Sequence, residues 1–100
     1  MTDEYRLLAT WADGRRFAAR VRRFPWWLKW WPSRNVTFGS VILEGGPVGM
    51  NPPTMRHELT HVRQYAERGW GWVWLHPIAR ENEAHAAERS VWPTFVMVMG

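Results

Sequence analysis

The chain has 100 residues, which suits one domain with a modest core. Its nine tryptophans and its hydrophobic content of 46% argue against disorder. It has no cysteine, which excludes disulfides, thiolate metal sites and cysteine nucleophiles, so any metal must be held by His, Asp and Glu.

The net charge of +4 is concentrated in the first third of the chain. We call residues 1–34 the basic arm, because its basic residues outnumber its acidic ones: Arg6, Arg15, Arg16, Arg20, Arg22, Arg23, Lys29 and Arg34 against Asp3, Glu4 and Asp13. An arm rich in Arg and Trp could contact a membrane surface or single-stranded nucleic acid. The simpler interpretation is that its tryptophans fill a core, with Arg side chains over their faces.

The first ten residues, MTDEYRLLAT, lack the basic and apolar segments of a signal peptide. No apolar run approaches the roughly 18 residues of a membrane span. Together these features predict a cytoplasmic protein.

Residues 3–28 are predicted to be helical, because apolar residues recur there at mixed three- and four-residue spacings. Gly14 divides this pattern and Pro25 ends it. A Trp-dense connector follows. The best strand candidate is NVTFGSVILE, residues 35–44, with Gly39 as a bulge or a close backbone approach. A second short strand around Pro47 to Met50 is a weaker candidate.

Asn51, Pro52 and Pro53 are typical of a helix start, and this helix is predicted to end at Arg68, with Gly69 as its stop. We expect a Trp-rich loop over GWGWVWLHP and a second helix over residues 77–90. The apolar tail, residues 91–100, could be a last strand, a core plug or a self-inhibitory segment in a cleft.

The first of these two helices carries the motif HELTH. His57 and His61 are four residues apart, so both imidazoles can reach one point, as zinc requires. Glu58 lies about 100° further round the helix, where it can act on a metal-bound water as a general base. An apolar stripe is predicted on the opposite face: Met55, Leu59, Val62 and Ala66.

A catalytic zinc usually has a third protein ligand, and the second helix carries three glutamates. Glu81, His85 and Glu88 share one face, beside the small residues Ala84 and Ala87. Glu83 points roughly the other way. If the two helices pack together, only one of Glu81 and Glu83 can reach the metal.

HELTH followed by ENEAH resembles the gluzincins, zinc peptidases whose third ligand is a glutamate on a second helix. Their second motif is typically Glu-x-x-Ala-Asp, so Glu81 corresponds to the ligand and Ala84 to the alanine. His85 stands where the family has an acid that supports a ligand histidine. It could accept that bond more weakly or act as an extra ligand, and Glu88 could supply the carboxylate instead.

The small size resembles the minigluzincins, and HELTHVRQ also resembles the peptidase-like core domain of contractile injection systems. The resemblance spans residues 35–90 and implies a Zn²⁺ peptidase with His57, His61 and Glu81 as ligands. It favours Glu81 over Glu83, in agreement with the helix geometry. Tyr65 and His76 are candidates to stabilise an oxyanion, although a packed Tyr and a loop His are the simpler interpretation.

We therefore expect one minimal zincin-like α+β domain. It would comprise the helical basic arm (1–34), a zinc-site core (35–90) with a short antiparallel sheet, and the apolar tail (91–100). The resemblance also implies a peptide substrate along the edge of the 35–44 strand. The alternative is a structural-zinc or relic domain whose basic arm binds a protein, membrane or nucleic-acid partner.

Overall fold

A computed structural model describes residues 4–23, 35–44 and 52–98. These residues form five strands and two helices, which confirms the predicted α+β class. The elements are β1 (Glu4–Thr10), β2 (Arg16–Arg23), β3 (Asn35–Phe38), β4 (Val41–Glu44), α1 (Pro52–Leu75), α2 (Pro77–Glu88) and β5 (Thr94–Val98). In this described part of the chain, neither helix has the length and apolar character needed to cross a membrane.

The strands form one sheet in the order β3-β4-β2-β1-β5. Neighbouring strands are antiparallel except β2 and β4, which are parallel. The predicted short antiparallel sheet is therefore larger than expected and mixed. Strands β3 and β5 lie at its two opposite edges.

The predicted N-terminal helix is wrong, because residues 4–10 and 16–23 form the antiparallel pair β1–β2. Burial alternates along both strands, as it does in a sheet with one face on the core. Ala19 and Val21 of β2 are buried, whereas Arg20 and Arg22 are exposed. Alanine occupies both inward and outward positions of these strands, which weakens the two-residue period in the sequence. The other apolar residues then recur at spacings that are typical of a helix.

The predicted 35–44 strand is two strands, β3 and β4, joined by a turn at Gly39. Gly39 has a φ of 58°, which favours glycine. A Cβ at this position would also lie 3.1 Å from the indole of Trp70. The positive φ therefore favours glycine here, and a Cβ would also require the Trp70 indole to move by a few tenths of an ångström.

The predicted start of α1 at the Pro52–Pro53 pair is confirmed. Gly69 leaves the helical conformation, with φ 84° and ψ 168°, so the predicted stop is a break in the helix. The predicted Trp-rich loop is wrong, because the chain resumes a helical path to Leu75. The second helix, α2, ends within two residues of the predicted boundary.

One face of α1 packs on the sheet through Met55, Leu59 and Val62. These side chains meet a set of buried residues from β1, β2 and β4 and the turn after β1: Leu7, Ala9, Trp11, Ala19, Val21 and Ile42. Ala66, the fourth member of the predicted stripe, is exposed. The face of α1 that carries the two histidines is left to meet α2.

Residues 94–98 of the apolar tail form β5, which pairs with β1. The last-strand interpretation is therefore confirmed for these residues. They lie at the edge of the sheet opposite β3, so they do not lie along the predicted substrate strand. The Trp-dense connector, the cap at Asn51 and the candidate strand at Pro47 to Met50 fall outside the described residues.

Candidate metal centre

Helices α1 and α2 bring together His57, His61 and Glu81, which we call the metal triad. The Nε2 atoms of His57 and His61 are 3.2 Å apart. Nε2 of His57 lies 3.2 Å from Oε1 of Glu81, and Nε2 of His61 lies 3.2 Å from Oε2 of the same carboxylate. This His/His/Glu group could hold a metal ion.

The spacing of the metal triad fits zinc. Tetrahedral zinc with bonds of about 2.0–2.1 Å places its ligand atoms about 3.3 Å apart. All three separations are close to that value, and two imidazoles with one carboxylate are a donor set that suits zinc. The two imidazoles are only 13% and 10% exposed, whereas the Glu81 side chain is 38% exposed. Solvent therefore reaches the group on the side of Glu81.

Gln64 orients the imidazole of His61. Its Oε1 lies 2.9 Å from Nδ1 of His61. An amide oxygen only accepts hydrogen bonds, so Nδ1 must carry the proton, and in neutral His61 the lone pair is then on Nε2. This is the atom that faces His57 and Glu81, and the tautomer is the one that a metal ligand needs.

The orientation of the Gln64 amide is itself fixed by α2. Its Nε2 donates to the carbonyl oxygen of Arg80 at 3.0 Å and to Oε1 of Glu83 at 2.9 Å. Arg68 holds that carboxylate through contacts of 2.8 and 2.9 Å. Glu83 is thus separated from the metal triad by Gln64, and it acts on His61 only through this amide. The i, i+3 spacing of His61 and Gln64 is the signal that could have identified Gln64 from the sequence.

The Nδ1 atom of His57 has a different environment from the Nδ1 atom of His61. This atom is buried and has no hydrogen-bond partner among the residues that the structure describes. The nearest acid is Glu88, whose Oε1 is 3.5 Å away, and the other oxygen of Glu88 lies 2.9 Å from Nδ1 of His85. That hydrogen bond from His85 lowers the pKa of Glu88, and the charge of His57 adds to the effect. Glu88 therefore supplies the carboxylate nearest to Nδ1 of His57, whereas Glu81 lies nearest to its Nε2.

Polar contacts fix α2 on α1 at both ends. Arg56 donates from Nε and Nη2 to the carbonyl oxygens of Ala87 and Glu88, both at 3.0 Å, and so satisfies acceptors in the last turn of α2. Near the start of α2, Arg80 donates to the carbonyl oxygen of Val73 at 2.9 Å. These contacts fix the position of Glu81 and Glu88 relative to His57.

Glu58 is buried, and its Oε2 accepts a hydrogen bond from the hydroxyl of Thr37. Thr37 belongs to β3, so the Glu58 carboxylate is turned toward the edge strand of the sheet. Thr37 was not identified from the sequence. It lies 21 positions before Glu58 and has no local spacing that links the two.

The structure places Tyr65 and His76 against tryptophans rather than against the metal triad. Tyr65 is buried and packs on Trp70, with ring centroids 4.7 Å apart, and burial raises the pKa of its hydroxyl. His76 is exposed and stacks on Trp72 at 5.1 Å, with its Nδ1 3.0 Å from the carbonyl oxygen of Trp72. The oxyanion role of both residues stays a prediction.

No protein-family model matches the chain, and no curated protein or solved structure matches it either. The gluzincin resemblance therefore depends on the sequence features described above.

Proposed function

We propose that the chain is a zinc-dependent peptidase in which Glu58 is the general base. The observation that carries the proposal is the metal triad, in which the two Nε2 atoms lie 3.2 Å apart and each lies 3.2 Å from one oxygen of the Glu81 carboxylate, close to the separation of zinc ligands. Glu58 directly follows the first ligand in the sequence and is buried beside the edge strand.

Zinc bound by the triad would supply a Lewis acid and lower the pKa of a coordinated water. Glu58 then accepts a proton from water and passes it to the leaving amine. Since Oε2 of Glu58 receives the Thr37 hydroxyl, we assign the proton transfer to Oε1. His61 keeps its Nε2 lone pair toward the metal because Gln64 holds the proton on Nδ1.

The substrate on this proposal is an extended peptide that adds to the edge of β3. An edge strand presents backbone donors and acceptors that can pair with a further strand. Strand β3 is the edge nearest the site, because its Thr37 contacts Glu58. A peptide along β3 would therefore pass the general base.

The decisive experiment compares the zinc-loaded chain with Glu58→Gln on a library of quenched fluorescent peptides. General-base catalysis typically contributes about 10²–10⁴-fold to the rate, so we expect turnover to fall by a factor in this range while zinc remains bound. The control is Glu67→Gln, which removes a carboxylate of the same helix that pairs with Arg15 and Arg63 rather than with the metal triad; both variants are assayed well below their melting temperatures. Unchanged turnover in Glu58→Gln, or no turnover by the zinc-loaded wild type, would contradict the proposal.

A structural metal is the second candidate function. The buried side chains of α2 are Ala84 and Ala87, so this helix contributes little apolar area to the fold. A metal that joins α1 to α2 would then contribute directly to folding. In that case chelation lowers the melting temperature, the zinc-loaded chain cleaves no peptide, and the basic arm is the surface to test for a partner.

A further inference from the structure

The two histidines of the metal triad differ in their second ring nitrogen. Nδ1 of His61 has Gln64 as its partner, whereas Nδ1 of His57 is buried and has no hydrogen-bond partner in the described part of the chain. A histidine that binds one metal usually donates its other N–H to a carboxylate or a carbonyl. His57 therefore lacks the support that a simple zinc ligand needs.

We propose that His57, His85 and Glu88 form a second divalent-cation site, with His57 as an imidazolate bridge to the metal triad. His57 would bind one ion through Nε2 and the other through Nδ1. The ligand atoms of His57, His85 and Glu88 lie within 4.8 Å of one another, and the three residues are a group that could hold a metal ion.

The distance between Nδ1 of His57 and Oε1 of Glu88 is closer to the separation of two ligands of one metal ion than to that of a hydrogen-bond donor and its acceptor. Oε1 of Glu88 is 3.5 Å from Nδ1 of His57. An N–H···O hydrogen bond has its heavy atoms about 2.7–3.2 Å apart. Two ligands of tetrahedral zinc are about 3.3 Å apart. Rotation of the Glu88 carboxylate toward an ion would close the remaining difference.

The second site is held firmly and is open to solvent. Arg56 fixes the carbonyl oxygens of Ala87 and Glu88, which keeps the last turn of α2 against His57. The His85 side chain is 60% exposed and that of Glu88 is 34% exposed, so an ion can enter from water. The ring centroid of His85 is 4.8 Å from that of His57.

The charges also permit two ions. Binding of the second ion removes the proton from Nδ1 of His57 and releases it to solvent. The positive charges of two divalent ions are then opposed by the carboxylates of Glu81 and Glu88 and by the imidazolate. Imidazole-rich sites favour zinc, copper and nickel over magnesium or calcium.

The inference depends on the metal triad through His57, and it is independent of peptide hydrolysis. The test titrates the metal-free full chain with Zn²⁺ and counts bound ions by elemental mass spectrometry after buffer exchange. We expect two ions in the wild type, one in His85→Ala, one in Glu88→Gln and one in Glu81→Gln. His76→Ala is the control, because it removes an exposed histidine outside both groups, and it should keep both ions.

The outcomes separate the two sites. One ion in the wild type, bound with unchanged affinity in His85→Ala, would overturn the second site and leave the metal triad intact. No ion in His85→Ala, with one ion retained in Glu81→Gln, would instead overturn the metal triad.

Copper tests the bridge itself. Two Cu²⁺ ions that share an imidazolate are magnetically coupled, so the doubly loaded chain should give a weaker electron paramagnetic resonance signal per ion than singly loaded His85→Ala. Two uncoupled signals of full intensity would contradict the bridge.

Discussion

Gln64 and His61 are joined on one face of α1 by a 2.9 Å contact between the amide Oε1 and the imidazole Nδ1. The contact matters because it selects the tautomer of a residue in the metal triad. It also links that residue to α2, since the same amide donates to Arg80 and Glu83. A single glutamine thus couples the packing of the two helices to the donor atom of His61.

Replacing Gln64 by Ala should weaken zinc binding by about 10–100-fold, the usual cost of losing the group that orients a ligand histidine. Competition with a chromophoric chelator measures this affinity. Asn82→Ala, which removes an exposed amide from α2, is the matched control and should bind zinc like the wild type. Equal affinity in Gln64→Ala and the wild type would show that the contact does not orient the ligand.

Replacing Thr37 by Val should reduce peptide turnover and leave zinc binding unchanged. The variant keeps the shape of the side chain but removes the hydroxyl that donates to buried Glu58. A hydrogen bond to a charged group contributes about 1.5–3 kcal/mol, so the free energy of unfolding should fall by a similar amount. Thr37→Ser restores the donor and should recover both turnover and stability; a Ser variant as poor as the Val variant would exclude the hydroxyl as the cause.

Gly39→Ala should destabilise the fold by about 1–3 kcal/mol, since its positive φ is unfavourable for a residue with a Cβ and Trp70 lies 3.1 Å from that atom. Gly71→Ala is the control, because a Cβ there meets nothing within 4 Å in α1. It should be neutral or stabilise the helix by about 0.5–1 kcal/mol. Urea unfolding measures both effects, and equal stability of the two variants would contradict the turn geometry.

A cluster of charges links the β1–β2 turn to α1 and should make stability depend on acid pH. The backbone N–H of Arg15 and then the Arg63 side chain lower the pKa of Asp13 below its ordinary 3.8. Arg63 and then Arg15 lower the pKa of Glu67 below 4.5. Both carboxylates bind protons less tightly in the folded chain than in the unfolded one. Their stabilisation is therefore complete above these ordinary values and is lost as the pH falls through the lowered ones.

The double variant Asp13→Asn, Glu67→Gln should be less stable than the wild type at neutral pH and should lose less stability in acid. Thermal unfolding of the metal-free chain, with chelator present, measures this without metal release from the histidines. A parallel pH dependence in both proteins would show that the cluster does not contribute.

The grouping of His57, His61 and Glu81 could be predicted from helical spacing within each helix together with the gluzincin resemblance, which indicated that Glu81 meets the two histidines. His57 and His61 are one turn apart, and the shared face of Glu81 and Glu88 turned out to be the face that meets His57. Ala84 is buried, as the predicted close approach of α2 requires. Local periodicity predicted which residues share a face of each helix, and the resemblance predicted which faces of the two helices meet.

The hairpin β1–β2 could not be predicted from the same kind of pattern. Its period of two is diluted by alanine, and the strands are stabilised by distant partners, β4 and β5. The contact between Thr37 and Glu58 also depends on how the sheet packs against α1. Contacts between residues that are far apart in the chain produce no regular spacing in the sequence from which they could be predicted.

The most direct test of the account is zinc binding to two variants in the His85→Ala background, which removes the second site. One variant adds Glu81→Gln and the other adds Glu83→Gln, so each replaces one carboxylate by an amide of the same size. We predict that the chain with Glu83→Gln keeps one zinc and that the chain with Glu81→Gln loses it. Zinc bound by the Glu81→Gln chain with the affinity of its parent would contradict the metal triad.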